Sequence, residues 1–283
     1  IAEELSTSGI DFIAGGGFRH FVPQDYEWGS SKREDDRNLL AEMADEYKVF
    51  VSSYETEKFL NYSPSGQEKA IALLSPTHLS YEVDRVNRGF AQPTLAQITE
   101  KGIEYLSRYN KGFFMMVEGG RIDHACHAND PVGSIYDTLA FDDAIKEAYE
   151  FYQKHPDETL IVVVGDHETG GMGLGFAKNY FLSLGELDDV KLSVEDMLSY
   201  GPFAYKTGDD KNEYFTMLEN NMGLDNLTAA EKAEIESAME LVDAGTESDA
   251  DYGGYNQVAI AVTHVVSERA GVQWTTYAHS GTA

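Results

Sequence analysis

A short polar segment that follows an apolar run carries the side chains best suited to chemistry in this chain. From Glu118 to His127 the chain has one Glu, one Asp and two His, directly after the apolar run 113–117. Such a run predicts a buried strand, and open α/β sheets bind ligands beyond the carboxyl ends of their strands. Carboxylate oxygens and imidazole nitrogens are ligands of Zn²⁺, and carboxylates also bind Mg²⁺. The segment therefore predicts a metal site at a strand end.

A second segment repeats this arrangement. The apolar, β-branched run 160–164 is followed by Gly165 and then by Asp166 and His167. Successive side chains of a strand alternate between its two faces, so these two residues can approach one ion only in a loop beyond the strand. A surface turn would explain a lone Asp-His pair. Two such pairs, each after an apolar run, favour a metal site.

The segment between the two runs predicts how these residues meet. Apolar residues at helical spacing over 134–152 predict a long amphipathic helix. A helix between two strands makes a β-α-β crossover, which is right-handed and leaves the strands parallel. Because parallel strands end at the same edge of a sheet, we expect Asp123 and His127 to approach Asp166 and His167.

The remaining elements alternate in type and indicate an α/β fold. Strands are predicted at 10–14, 48–52, 69–74 and 258–266, and helices at 38–46 and 92–110. A strand-like segment, 274–278, would place His279 at a further strand end. His264 lies inside a predicted strand and is expected to be a core or turn histidine.

Four segments together resemble the alkaline phosphatases: 11–17, 117–127, 165–171 and 278–282. The combination is specific: Glu-x4-Asp-x3-His, then Asp-His after an apolar run, then a late His before a small residue and Gly. The resemblance implies a three-layer α/β fold, with a largely parallel central sheet between helices. It also implies that 1–283 is part of a single catalytic domain. The acidic, mostly helical stretch 178–255 would then be an insertion near the active-site mouth.

The resemblance implies hydrolysis of phosphate monoesters through a phosphoserine, with two zinc ions and one magnesium ion. It assigns Asp123, His127 and His279 to one zinc, Asp166 and His167 to the second, and Glu118 to the magnesium. His124 is a candidate contact to the substrate phosphate or to a metal-bound water.

The sequence departs from the family pattern at the nucleophile. The family's serine lies in an Asp-Ser-Ala or Asp-Ser-Gly motif, and neither occurs between Ile1 and Ala283. The first residue is not Met, and the family continues beyond Thr282. We therefore expect this sequence to be a fragment, truncated at both ends and inactive without its N-terminal portion. The alternatives are a non-catalytic metal-binding fragment, or a phosphodiesterase or sulfatase of the same superfamily, although the Val-Glu-Gly-Gly context at 117–120 favours the phosphatase.

The composition limits the partners. There are 49 acidic and 21 basic residues, a net charge of −28. This balance argues against nucleic acid as a stable partner, because contacts to backbone phosphates need Lys and Arg. The apolar runs are shorter than the roughly 20 residues of a membrane span. The single Cys126 excludes an internal disulfide and is expected to be a packed thiol. The resemblance implies a periplasmic or extracellular location and is compatible with a homodimer.

Overall fold

The computed structural model describes residues 1–27, 31–175, 181–246 and 252–279. The chain divides into two compact units. The first comprises Ile1–Ser80, Phe90–Glu118 and Ala140–Ile161, and the second comprises Tyr81–Gly89, Gly119–Leu139 and Val162–Ala283.

A parallel sheet forms the centre of the first unit. Its strands are β1 (Phe12–Gly15), β2 (Tyr47–Val51) and β3 (Lys69–Leu73), in the order β1-β3-β2. Ile71 of the central strand is paired with Ile13 on one side and Val49 on the other. The three strands predicted at 10–14, 48–52 and 69–74 are therefore confirmed, with bounds that differ by one or two residues.

The helices in the described part of the chain are α1 Ala2–Thr7, α2 Leu39–Met43, α3 Thr56–Asn61, α4 Glu82–Arg88, α5 Leu95–Leu106, α6 Gly120–His127, α7 Pro131–Lys154, α8 Lys211–Met222, α9 Ala229–Asp243 and α10 Gln257–Ala270. The helices predicted over 38–46, 92–110 and 134–152 are confirmed as α2, α5 and α7. Within the described residues, no helix is both long enough and apolar enough to span a membrane.

The sheet of the first unit has an apolar core on each face. Ile71 and Leu73 of β3 pack with residues of α2, whereas Ala72 and Leu74 pack with Phe59 of α3 and Ile98 of α5. This division follows from the alternation of side chains along a strand. The α/β class and its arrangement of a parallel sheet between helices are thus confirmed.

A glycine brings α5 close to the sheet. A Cβ at Gly102 would lie 2.6 Å from the Met115 side chain and 3.1 Å from the Phe12 ring. The helix begins at Thr94, whose hydroxyl accepts from the Gln97 backbone N–H in a capping box.

The second unit is mainly helical. Helix α10 contacts α9 and the π-helical turn Val194–Ser199, and two short strands, β4 (Gly173–Leu174) and β5 (Val272–Gln273), pair antiparallel. Residues 178–180 and 247–251 of the acidic stretch 178–255 lie outside the described residues, as do 280–282 of the terminal motif. A location of this stretch near an active-site mouth stays a prediction.

The strand predicted at 258–266 is wrong, because this segment is the middle of α10. The Asn256 side chain caps the helix by accepting from the N–H groups of Val258 and Ala259, and Gly271, with φ of 77°, ends it. Residues 258–263 are all buried. A helix that is apolar on all sides shows no 3.6-residue period, so its pattern is the same as that of a buried strand.

The strands predicted at 113–117 and 160–164 are also wrong. Within the described residues neither run joins a strand ladder, and the segment 274–278 does not either. Large apolar side chains in these runs are exposed: Phe114 by 89%, Met116 by 72%, Leu160 by 85% and Val164 by 76%. A strand forms only where a neighbouring strand satisfies its backbone N–H and C=O groups. An apolar sequence does not by itself provide such a neighbour. The predicted β-α-β crossover through α7 is therefore wrong, because neither of its two strands forms.

Candidate metal centre

Helix α6 positions the first candidate ligands. Arg121 and Ala125 occupy the buried face of α6, whereas Asp123 and His127 lie on a partly exposed face, one turn apart. Nε2 of His127 lies 3.4 Å from Oδ2 of Asp123. These two residues were expected at the end of a strand, but a helix that begins at Gly120 brings them together.

The hydrogen bond of the His127 ring sets the state of its second nitrogen. Nδ1 lies 2.6 Å from the carbonyl oxygen of Tyr277. A carbonyl only accepts, so Nδ1 carries a proton, and a ring that carries this proton alone has its lone pair at Nε2. That lone pair faces the Asp123 carboxylate, which also only accepts. A proton on Nε2 or a metal ion between the two atoms would satisfy both of them, and an imidazole nitrogen with a carboxylate oxygen is a ligand set that suits Zn²⁺.

Thr169 gives His167 the same arrangement. Its hydroxyl donates to Oδ1 of Asp123 at 2.6 Å, and Nδ1 of His167 lies 3.2 Å from the same hydroxyl oxygen. Because the single hydroxyl proton goes to the carboxylate, Nδ1 of His167 must donate. A ring that carries this proton alone has the lone pair of Nε2 3.2 Å from Oδ2 of Asp166. This is a second pair of facing acceptors.

His279 completes the cluster. Its Nε2 lies 3.6 Å from Oδ1 of Asp123, and its ring centroid lies 3.6 Å from that of His167 and 5.0 Å from that of His127. One ligand atom from each of Asp123, His167 and His279 lies within 4.8 Å of the other two. The structure thus brings together residues from three distant motifs.

The backbone of Gly170 holds the His279 segment in place. Its N–H donates to the Ala278 carbonyl at 3.0 Å, and its carbonyl accepts from the N–H groups of Thr275 and Thr276. This contact, rather than a strand ladder, brings His279 to the residues after 160–164.

Three predicted ligands lie outside this trio, and of these only His127 contacts Asp123. Asp166 contacts His167, but its side chain is largely exposed. Glu118 is exposed and belongs to the first compact unit, so its assignment to a magnesium ion stays a prediction.

His124 is held by residues that the sequence did not indicate. Its Nδ1 lies 3.1 Å from Oε2 of Glu195, and the same carboxylate accepts from the Tyr81 hydroxyl and from Arg121. The guanidinium of Arg121 also lies over the Tyr81 ring, 4.2 Å from its centroid. The hydrogen bond to Glu195 raises the pKa of His124 above its ordinary value. Glu195 has no local sequence signal, whereas Thr169 could have been noticed as a hydroxyl two residues after His167.

Comparisons with known proteins show the family to which this chain is similar. The family model described as "Alkaline phosphatase" matches residues 1–283. The "Repressible alkaline phosphatase" of Saccharomyces cerevisiae is 28% identical over 96% of this chain and 49% of its own length. The "Membrane-bound alkaline phosphatase" of Bombyx mori is 36% identical over 55% of this chain and 29% of its own length. The chain thus spans about half the length, or less, of these curated relatives.

Solved structures show the fold. A cold-active alkaline phosphatase from Shewanella sp. matches with a TM-score of 0.74 and 24% identity, over 99% of this chain and 60% of that one. The alkaline phosphatase of Thermus thermophilus matches with a TM-score of 0.77 and 23% identity, over 99% of this chain and 57% of that one. These neighbours confirm the alkaline phosphatase-like α/β fold. The matched family and the shared fold show that the chain belongs to the alkaline phosphatase family.

Proposed function

We propose that the protein containing this chain hydrolyses phosphate monoesters at a metal centre around Asp123. One observation carries the proposal: ligand atoms of Asp123, His167 and His279 lie within 4.8 Å of one another although their motifs are far apart in sequence. Family membership supports the same reaction class.

The proposed centre contains two zinc ions and one magnesium ion. Asp123, His127 and His279 would hold one zinc, Asp166 and His167 the second, and Glu118 would contribute to the magnesium. Mixed imidazole and carboxylate ligands suit Zn²⁺, and Mg²⁺ prefers oxygen ligands. When bound, such ions stabilise charge on phosphate oxygens and lower the pKa of water.

The chain's own residues would orient the ligands and the substrate. The carbonyl of Tyr277 accepts a hydrogen bond from Nδ1 of His127, and the hydroxyl of Thr169 accepts one from Nδ1 of His167. Each ring would therefore present Nε2 as the ligand atom. Glu195 holds His124, whose imidazolium would donate to a phosphate oxygen or to a metal-bound water. A phosphoserine route needs a nucleophilic serine, and the proposal gives that role to no residue of 1–283.

The proposed partners follow from the reaction. The substrates would be phosphate monoesters, in a periplasmic or extracellular location, and the complete protein is proposed to be a homodimer. With a net charge of −28, the chain would repel a phosphate group at long range, and only bound cations would offset this field locally.

The test uses the complete protein and p-nitrophenyl phosphate. Activity should be lost on treatment with EDTA and restored by zinc, and Asp123→Ala or His279→Ala should reduce zinc content and activity together. His155→Ala is the matched control, because His155 is exposed and its ring contacts that of Phe151 in the first unit. Full activity of the metal-free protein would refute the proposal. Faster hydrolysis of bis-p-nitrophenyl phosphate or of p-nitrophenyl sulfate would assign a different reaction.

A further inference from the structure

We infer that Thr169 is a positioning residue that couples the ligands of the two proposed zinc ions. The inference rests on the proposed function, which gives Asp123 to one ion and His167 to the other. It extends the role of Thr169 beyond orienting His167, because the same hydroxyl also binds Asp123.

The geometry places one hydroxyl between the two ligand sets. Thr169 Oγ1 lies 2.6 Å from Oδ1 of Asp123 and 3.2 Å from Nδ1 of His167. The residue is 9% exposed, so water competes little for either contact. A single atom therefore contacts a ligand on α6 and a ligand in the segment after 160–164.

The proton count gives this contact a direction. The hydroxyl donates its one proton to Asp123 and accepts from His167, which forms a chain from Nδ1–H through Oγ1 to Oδ1. The chain fixes the tautomer of His167 and the rotation of the Asp123 carboxylate at the same time. Partners of this kind orient metal ligands, and an acceptor at Nδ1 also raises the basicity of the imidazole.

The backbone holds Thr169 without help from an ion. The next residue, Gly170, has φ of 81°, and a Cβ there would lie 2.5 Å from the Cys126 carbonyl oxygen. Its N–H donates to Ala278, and the Glu168 carboxylate accepts from the N–H of Gly171. The hydroxyl is thus preorganised between the two ligands.

Loss of the hydroxyl should therefore affect both ions. Valine has nearly the shape of threonine but neither donates nor accepts, so Thr169→Val would leave Asp123 and His167 each without one partner. Loss of such partners typically weakens metal binding about 10- to 100-fold. We expect a weakening of this size for both zinc ions.

The experiment compares Thr169→Val, Thr169→Ser and the unmodified complete protein. Thr216→Val is the matched control, because the Thr216 hydroxyl donates to the Asn212 carbonyl of its own helix. Zinc affinities are measured by competition with a chelator, and ligand geometry is measured by the visible absorption of the Co²⁺-loaded protein. Thr169→Val should weaken binding of both ions and change the Co²⁺ spectrum. Thr169→Ser should restore both properties, and Thr216→Val should match the unmodified protein.

Three results would overturn the inference: unchanged affinities in Thr169→Val, weakening at one ion only, or failure of Thr169→Ser to restore binding. If Thr169→Val does not fold, as judged by circular dichroism, Thr169→Ala removes the same hydroxyl with less bulk and replaces it in the comparison. Failure of the proposed function is distinguishable, because the unmodified protein would then lack metal-dependent hydrolysis.

Discussion

Nδ1 of His124 lies 3.1 Å from Oε2 of Glu195, a residue 71 positions away on the π-helical turn Val194–Ser199. The carboxylate is mostly buried and also accepts from Tyr81 and Arg121. The stretch that the sequence indicated only as an acidic insertion therefore orients the residue next to Asp123.

Neutralising this carboxylate should destabilise the second unit. Glu195→Gln keeps the shape but removes the negative charge that strengthens the hydrogen bonds from Tyr81, His124 and Arg121. We expect the free energy of unfolding to fall by about 2 kcal/mol, since hydrogen bonds to charged groups contribute roughly 1.5–3 kcal/mol. Urea unfolding followed by circular dichroism measures the change. The exposed Glu240 of α9 provides the control Glu240→Gln, and an equal loss in both variants would contradict the assigned role.

Asp84 should make stability depend on pH. It is fully buried, its two oxygens accept from the backbone and hydroxyl of Ser193, and burial raises the pKa of Asp84 to about 7. Between pH ~4 and ~7 the folded protein keeps a proton that the unfolded chain has lost. Stability should therefore fall as pH rises through this window, by up to about 1.4 kcal/mol per pH unit from this group, and level off above it.

The variant Asp84→Asn isolates this contribution. The amide resembles the protonated acid, so the variant should lose the part of the slope that comes from Asp84. Urea unfolding of both proteins at several pH values gives the difference between their stabilities. Parallel pH profiles for the two proteins would show that Asp84 does not titrate in this window.

Gly170 should tolerate no side chain. Gly170 has a left-handed backbone conformation. A Cβ at this position would also lie 2.5 Å from the Cys126 carbonyl oxygen and 2.9 Å from the Trp274 ring. Gly208 is a matched control, because its φ of 89° is also positive but a Cβ there would meet nothing within 4 Å. Gly208→Ala should cost about 1 kcal/mol through backbone strain.

Gly170→Ala should cost more than that and should also reduce zinc affinity, because the clash displaces the segment that carries His279. Thermal unfolding and chelator competition measure the two effects. Equal losses of stability in the two alanine variants, with zinc binding unchanged, would contradict the prediction.

The Cys126 thiol should react slowly. Burial, together with the charges of Asp123 and Asp130, raises the pKa of Cys126 to about 12. Only the thiolate is nucleophilic, so at pH 8 the reaction with Ellman's reagent should be at least ~100-fold slower in the folded protein than in urea. Similar rates in the two states would show that the thiol is neither buried nor held protonated.

Much of the candidate site could be predicted from sequence because its motifs are local. The pairs Asp123/His127 and Asp166/His167 are recognisable in short segments, and the structure brings members of both together with His279. The way in which these residues come together was predicted wrongly. Contacts of Thr169 and Gly170 join them, and two neighbouring strands do not.

The errors share a physical cause. The runs 113–117 and 160–164 have the composition of strands, but strand formation depends on a partner that composition does not specify. At 258–266 a strand was predicted where a helix forms. The caps at Asn256 and Gly271 determine the helix, and the apolar sequence between them has no period that distinguishes a helix from a strand. Glu195 could not be found because its contacts to His124 and Tyr81 span long sequence separations.

The exposure of Phe114, Met116, Leu160 and Val164 has a consequence for handling residues 1–283 as an isolated polypeptide. An extended, uncharged run whose backbone lies outside a ladder is a template for intermolecular β-pairing. The net charge of −28 opposes such association at low ionic strength, but salt shortens the range of that repulsion. Aggregation of the isolated polypeptide should therefore increase with salt concentration.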